Sequence, residues 1–306
     1  MVRVARRFAR VGAAADLPNA AAFDAYIGPS GEIVVDPARK IIALHDGATA
    51  GGVQYTPSVS SNTYSPGALF GLTLSNNIAD AVNDINISPG ACRDIGDTGN
   101  IIIPTALTKR LDAAWAAGNN GGGLDTGSKA ASTWYHVWAI RRSDTGVSDI
   151  LISTSATNPV MPTNFNQKRR IGTVGTDGSL ALLPFTQIGG WFYHQRPFVD
   201  LTNATGYSSP NLVTLTVPTG IKVRADMTVV PQASTGGNIS FVSICDPDTG
   251  TAEVYDVVAN AYTPVNASQV QVFTNTAGKV SVGTSSNDCQ ISIYTRGWYD
   301  GRDTYV

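Results

Sequence analysis

Three short motifs and three histidines supply residue types that perform chemistry in proteins. Asp125-Thr126-Gly127-Ser128 is the tetrapeptide of an aspartic-protease loop, in which two aspartates share one proton. The chain has no second copy of it, and "NNGGG" precedes it where an apolar strand would have to bury the carboxylate. Gly122–Lys129 has the outline of a phosphate loop but closes Gly-Ser-Lys instead of Gly-Lys-Ser, with no buried strand before it to scaffold the anion cradle. Asp246–Gly250 with Glu253 offers oxygen ligands for calcium, at a spacing incomplete for an EF-hand. A type I turn with Pro247 at its second position accounts for the same residues. His45, His136 and His194 are too far apart for a metal motif, and no serine sits in Gly-x-Ser-x-Gly. The carboxylate pair of a glycosidase is set by distance in space, so spacing leaves that activity unsupported. The chain therefore reads as non-enzymatic, with no catalytic, cofactor-binding or metal residue assigned.

The elements that would position these residues are mostly strands. In "STWYHVWAIRR", Trp134, His136, Trp138 and Ile140 share one face and Tyr135, Val137 and Ala139 the other. Both faces are apolar, as in a central strand, and His136 reads as a packed core imidazole. Thr105 as N-cap, a stripe of Leu107, Leu111, Ala114 and Trp115, and Gly118 as terminator predict one helix near 105–117. From about Pro184 the chain breaks into short strands with turns between them, the spacing of an antiparallel β-sandwich of jelly-roll type.

Composition sets the outer limits. Charged residues are 14% of 306, well below the roughly 25% usual for soluble domains, and the polar surface must come from Ser, Thr, Asn and Gly. The net charge of -2 carries no polyanion-binding signature, so nucleic acid is not expected as a partner. There is no apolar run of roughly 18 residues, so no membrane insertion is expected, and no apolar segment of a signal peptide follows the first arginines. Three cysteines, Cys92, Cys245 and Cys289, are too few for a disulfide framework. Cys245 and Cys289 both fall in strand-like segments, either bridged or as buried free thiols.

At the N-terminus Arg3, Arg6, Arg7 and Arg10 fall at helical spacing, with Val4, Phe8 and Val11 on another face. A transit peptide, a membrane-surface helix, a docking arm and a frayed end all fit this pattern. The reading preferred is an arm in which Phe8 and the four arginines dock on a larger acidic partner, because a helix this short is marginal alone. Residues 17–29 read as a linker. Ser30–Gly52 then reads as a hairpin, Ile33–Val35 and Ile41–Leu44 about the corner Asp36-Pro37-Ala38-Arg39-Lys40. A lone hairpin of two strands is marginal in water, so this one needs company. The last domain is rich in aromatic residues near turns, including Trp191, Tyr193, Tyr207, Trp298 and Tyr299. Such residues stack on sugar faces when exposed and build sandwich cores when buried.

Two segments carry a resemblance. Gly31, Glu32, Asp36, Asp46, Gly47 and Gly51-Gly52, set in "GEIVVDPARKIIALHDGATAGG", resemble the N-terminal hairpin module of bacteriophage tail-fibre and tropism-type proteins. Leu72–Val174, with "LTLSNNIADAVNDINISPGACRD", "TALTKRLDAAWAAGNNGGGLDTGS" and "KRRIGTV", resembles a module that recurs in phage and prophage tail-associated proteins. The resemblance implies a virion protein assembled in the bacterial cytoplasm. Its hairpins would self-associate, as a homotrimer, through Ile33, Val35, Ile41 and Ala43, and its arm would bind other virion proteins. The expected layout is a basic arm and linker over 1–29, a hairpin oligomerisation module over 30–59, a β-rich or small α+β middle domain over 60–183, and a C-terminal sandwich over 184–306. The sandwich would recognise the host surface, as glycan, with Trp191, Tyr193, Tyr207, Trp298 and Tyr299 as its candidate surface. A head, collar or neck decoration protein of the same design is the alternative.

Overall fold

The computed structural model of the chain describes residues 8–11, 16–55, 64–208, 211–233, 240–249, 257–259, 267–284, 287 and 289–302. The fold is mainly β, with 51% of the described residues in strands and 2% helical. It divides into two compact units, 1–63 and 64–306.

The first unit is a four-stranded sheet in the order Phe8–Arg10, Ile33–Asp36, Ile41–Leu44, Val53–Tyr55. Phe8–Arg10 runs parallel to Ile33–Asp36, so the backbone of the arm is a strand here and not a helix. Arg3, Arg6 and Arg7 lie outside the described residues. The linker contains the helix of this unit, Ala20–Ala25, capped by Asn19, whose side chain accepts from the Ala22 N–H. Its Phe23 is fully buried with Val34, Ile41 and Ala43 of the hairpin and with Ala9, Val11 and Leu17. The hairpin thus has a local core. Asp36 fixes its corner: the carboxylate accepts from the backbone N–H groups of Ala38 and Arg39 and pairs with the Arg39 guanidinium at 2.6 Å.

The antiparallel register opposes Ile33 to Leu44, Val34 to Ala43, Val35 to Ile42 and Asp36 to Ile41. Side chains alternate between faces along a strand, which separates the expected contact residues. Ile41 and Ala43 face the local core and are covered by the chain itself; Ile33 and Val35 face the other way, beside Ile42 and Leu44.

The second unit holds the rest. A seven-stranded sheet runs Gln167–Gly175, Trp134–Arg141, Ser148–Ser153, Gly121–Leu124, Leu107–Ala114, Asp84–Ile87, Leu74–Asn76. Trp134–Arg141 is central, paired on both sides, and His136 is buried. Leu69–Gly71, Gly90–Arg93 and Asn100–Ile103 form a small sheet beside it.

The segment expected as a helix near 105–117 is the strand Leu107–Ala114. Leu107, Lys109, Leu111 and Ala113 turn inward and Arg110, Asp112 and Ala114 outward. Lys109 hides this alternation, because a lysine stands at a core position. Its ammonium donates to the Ala116 carbonyl at 2.8 Å and pairs with Asp149 at 2.9 Å, both side chains almost fully buried. Desolvation pulls the Lys109 pKa down, and Asp149 opposes that shift.

Residues beyond Pro184 form two further sheets. One runs Phe185–Ile188, Trp191–Ala204, Cys289–Tyr299, Arg224–Ala233, Ser268–Phe273; the other runs Asn211–Thr214, Lys279–Thr284, Ser240–Cys245, Val257–Ala259. From Trp191 onward the strands pair first with last, second with second-last, and so inward, all antiparallel. That nested pairing across two sheets is a jelly roll. Its core is continuous with that of the seven-stranded sheet. Trp298 packs edge-on to Trp134 at 5.2 Å, and Arg302 donates to the Leu72 carbonyl at 3.0 Å. The expected boundary at 183/184 therefore marks a change of sheet and not of core. No disulfide joins Cys92, Cys245 and Cys289, and burial pushes the thiol of Cys92 up to about 12.

Candidate functional site

The register of the jelly roll's five-stranded sheet builds a site that no single segment contains. Ile188 opposes Trp191, Trp191 opposes Tyr299, Tyr299 opposes Arg224, and Arg224 opposes Phe273. These five residues form one row across all five strands. Directly opposed residues share a face, and this row stands on the face away from the core, since the next residues along, Phe192, Trp298, Ala225 and Val272, are buried. Ile188 and Phe273 are 64% and 50% exposed. Tyr193, two residues on from Trp191, stacks on its ring at 5.8 Å and 12°. The Arg224 guanidinium lies 5.2 Å from the Trp191 ring centre and 5.4 Å from that of Tyr299. Behind Tyr299 sits Gly190, where a Cβ would meet the tyrosine ring at 2.6 Å. A glycine at this turn position therefore leaves room for the ring.

The row opens into a cleft of ≈ 720 Å³, lined by Tyr299, Arg224, Phe273 and Ile221 on one side and Trp138 and Ile95 on the other, with Arg170 and Asp300 also on its walls. That volume is in the range of small-molecule sites, and the mixture of apolar walls and few polar groups is typical of them. Arg170 pairs with Asp300 at 2.6 Å, and Thr173 donates to the same carboxylate at 3.1 Å. His136 sits behind Thr173 at 3.3 Å and donates to the Thr219 carbonyl from Nε2 at 3.1 Å. Burial, and then the charge of Arg170, lower the His136 pKa to about 4, so the imidazole is neutral at pH 7. Lys222 is clamped by Asp246 at 2.6 Å and Asp248 at 2.9 Å. Two of the carboxylates weighed for calcium thus serve a lysine, and Glu253 lies outside the described residues. No group of three or more His, Cys, Asp or Glu gathers as a metal site among the described residues.

The expected surface residues divide. Trp191, Tyr193 and Tyr299 come together on the open row. Trp298 is a correction: it is 2% exposed and stacks on Phe192 at 5.2 Å in the core. Alternation along "RGWYD" decides this, since adjacent Trp298 and Tyr299 must face opposite ways. Tyr207 is half-buried and packs against the core, apart from the row. Arg224 and Phe273 were not legible as site residues, because only the pairing of distant strands brings them beside Tyr299. Of Phe8 and Arg10 the backbone strand is described; Arg3, Arg6 and Arg7 are not. The Asp125 carboxylate accepts the backbone N–H groups of Thr126 at 2.8 Å and Val160 at 2.9 Å and closes a loop.

No family model matches the chain, and no curated protein does. Among solved structures it is similar to the P3c, I1 and M1 variants of Major Tropism Determinant. Identity to the P3c variant is 16% and the TM-score is 0.28, with 69% of this chain and 56% of that chain covered. The I1 variant stands at 15% and 0.27. The matched part is little more than half the length of those structures. At these scores the functional reading rests on the chain's own residues.

Proposed function

We propose that the chain is a non-enzymatic bacteriophage virion protein of fibre or spike type, held to the particle by its N-terminal arm and presenting its jelly roll to the host surface as a glycan-binding face. The observation that carries this reading is the row of Trp191, Tyr193, Tyr299, Arg224 and Phe273 beside an open cleft. Aromatic faces stack on the apolar faces of sugars, and single sites of modest affinity suffice when one particle carries many copies.

Self-association of the N-terminal sheet, as a homotrimer, belongs to the same reading. Its support is the outward face on which Ile33 and Val35 stand beside Ile42, Leu44, Val53 and Tyr55, the last four each more than 40% exposed. An apolar sheet face of this kind marks an interaction surface. Ile41 and Ala43 have no part in it. Arg3, Arg6, Arg7, Phe8 and Arg10 remain the proposed contacts of the arm with other virion proteins.

Immunogold labelling of intact particles with antibody to residues 184–306 tests the assignment. Label at the tail tip or on fibres is the expected outcome. Label over the head or collar would move the chain to the alternative, a decoration protein with a structural duty.

A further inference from the structure

Among the described residues, one cation of the cleft has no carboxylate beside it. Arg170 has Asp300, and Lys222 has Asp246 and Asp248. Arg224 has no carboxylate partner among the described residues, and its Nε is buried without a hydrogen-bond partner. Its contacts are the rings of Trp191 and Tyr299. Ring faces hold a guanidinium in a fixed plane and leave its N–H donors unused. A planar cation of this kind matches a carboxylate with two parallel hydrogen bonds. The apolar wall next to it, Tyr299 with Ile221 in the same cleft, suits the flat C–H face of a pyranose ring.

We propose that the cleft takes an acidic saccharide, whose carboxylate is received by Arg224 while its ring lies on Tyr299. The proposal deepens the glycan reading above and rests on it. One unpaired cation in the cleft calls for one anionic group per bound segment, so neutral sugars flanking the acidic one are accommodated. Charge complementarity selects the ligand class, and the aromatic surface supplies contact that is indifferent to sugar identity.

Intrinsic tryptophan fluorescence of the full chain reads the test, because Trp138 lines the cleft and Trp191 lies against Arg224. The titrants are oligogalacturonate, a hyaluronan oligosaccharide and sialyllactose, each beside its carboxyl-reduced neutral form. A phosphorylated mannan oligosaccharide is added as the other source of anionic sugar. At least one carboxylate sugar is expected to bind saturably, and its reduced form about tenfold or more weaker, because it loses the charge-assisted pairing with Arg224. Arg224→Gln should bring the acidic form down to the level of the neutral one. Arg224→Lys, which keeps the charge and loses the planar fork, should keep the preference at lower affinity. Added salt should weaken the acidic form alone.

Equal binding of acidic and reduced forms, or an Arg224→Gln chain that retains the preference, overturns the proposal and leaves the glycan reading standing. Tighter binding of the phosphorylated sugar than of every carboxylate sugar overturns the carboxylate assignment. Failure of every acidic sugar to bind overturns it outright. Whether the chain still blocks particle adsorption then shows separately whether the host-surface reading survives.

Discussion

The N-terminal unit and the body of the molecule solve the same problem with unequal means. The body buries Leu111, Val137, Ile150, Ile152, Phe192, Val242, Ile293 and Trp298 in one continuous core shared by four sheets. The N-terminal sheet buries seven apolar residues on one face and leaves Ile42, Leu44, Val53 and Tyr55 open on the other. Small units close too little surface to be stable with ease. The body therefore gathers its apolar residues into one core, while the described residues of the N-terminal sheet leave one apolar face open. In the body the exposed apolar residues are mostly scattered singly, as at Ile78, Val147 and Val160, and two of them, Ile188 and Phe273, stand at the ends of the row beside the cleft.

The largest effects should fall in the body. Asp149→Ala leaves the Lys109 ammonium buried and unpaired, and should cost about 3–5 kcal/mol in denaturant unfolding. Replacing the pair by apolar residues, Lys109→Met with Asp149→Leu, should recover most of that. If the single change costs no more than an exposed substitution, the ion pair is not what anchors the strand Leu107–Ala114.

Next is the open sheet face. Ile42→Asp with Leu44→Glu should abolish self-association in sedimentation while the melting transition of the body moves by less than about 0.5 kcal/mol, as for exposed substitutions. Ile41→Asp, on the covered face, should instead unfold the N-terminal unit. Loss of assembly by neither route would remove the contrast between the two regions.

Acidification should act on the body through its histidines. The folded His136 pKa is lowered to about 4 by burial and by Arg170, against 6.5 for the unconstrained group. His194 is lowered too, chiefly by burial. The unfolded chain then binds more protons between those limits. The contribution of His136 is full above the unfolded pKa and falls as pH drops from about 6.5 towards 4, by up to about 1.4 kcal/mol per pH unit, and that of His194 has the same sign. His136→Gln should flatten the melting-temperature profile in that window. A profile that rises on acidification would contradict the burial of both imidazoles.

The smallest effect is expected at Asp125. Asparagine keeps one acceptor oxygen and so serves one of the two loop N–H groups, and with that exposed loop bond lost Asp125→Asn should cost about 1 kcal/mol and change no binding. A lost activity in that variant would reopen the protease reading.

Much of the fold was legible where alternation and turns agree. The strands of the jelly roll, the central Trp134–Arg141 and the buried His136 follow from period-two patterns and Gly or Pro breaks. The failures have separate causes. Lys109 put a charge at a core position, and the leucines left around it fell at helical spacing. Asn19 is a good N-cap for Ala20–Ala25, but the surrounding alanines look like linker. The faces of the hairpin were misassigned because Ile33–Val35 and Ile41–Leu44 are continuously apolar, so only the register separates inside from outside. The row of Trp191, Tyr299, Arg224 and Phe273 could not be read at all, since it exists only when strands far apart in sequence pair in one register.

Adsorption competition tests the central claim most directly. Susceptible bacteria are preincubated with the purified full chain, and free particles are then counted. The wild-type chain should block adsorption, and Trp191→Ala with Tyr299→Ala should lose most of that block while the Ile42→Asp, Leu44→Glu chain, deprived only of avidity, keeps a weaker one. Undiminished blocking by the Trp191→Ala, Tyr299→Ala chain would contradict the assignment of the jelly-roll row as the host-contact surface.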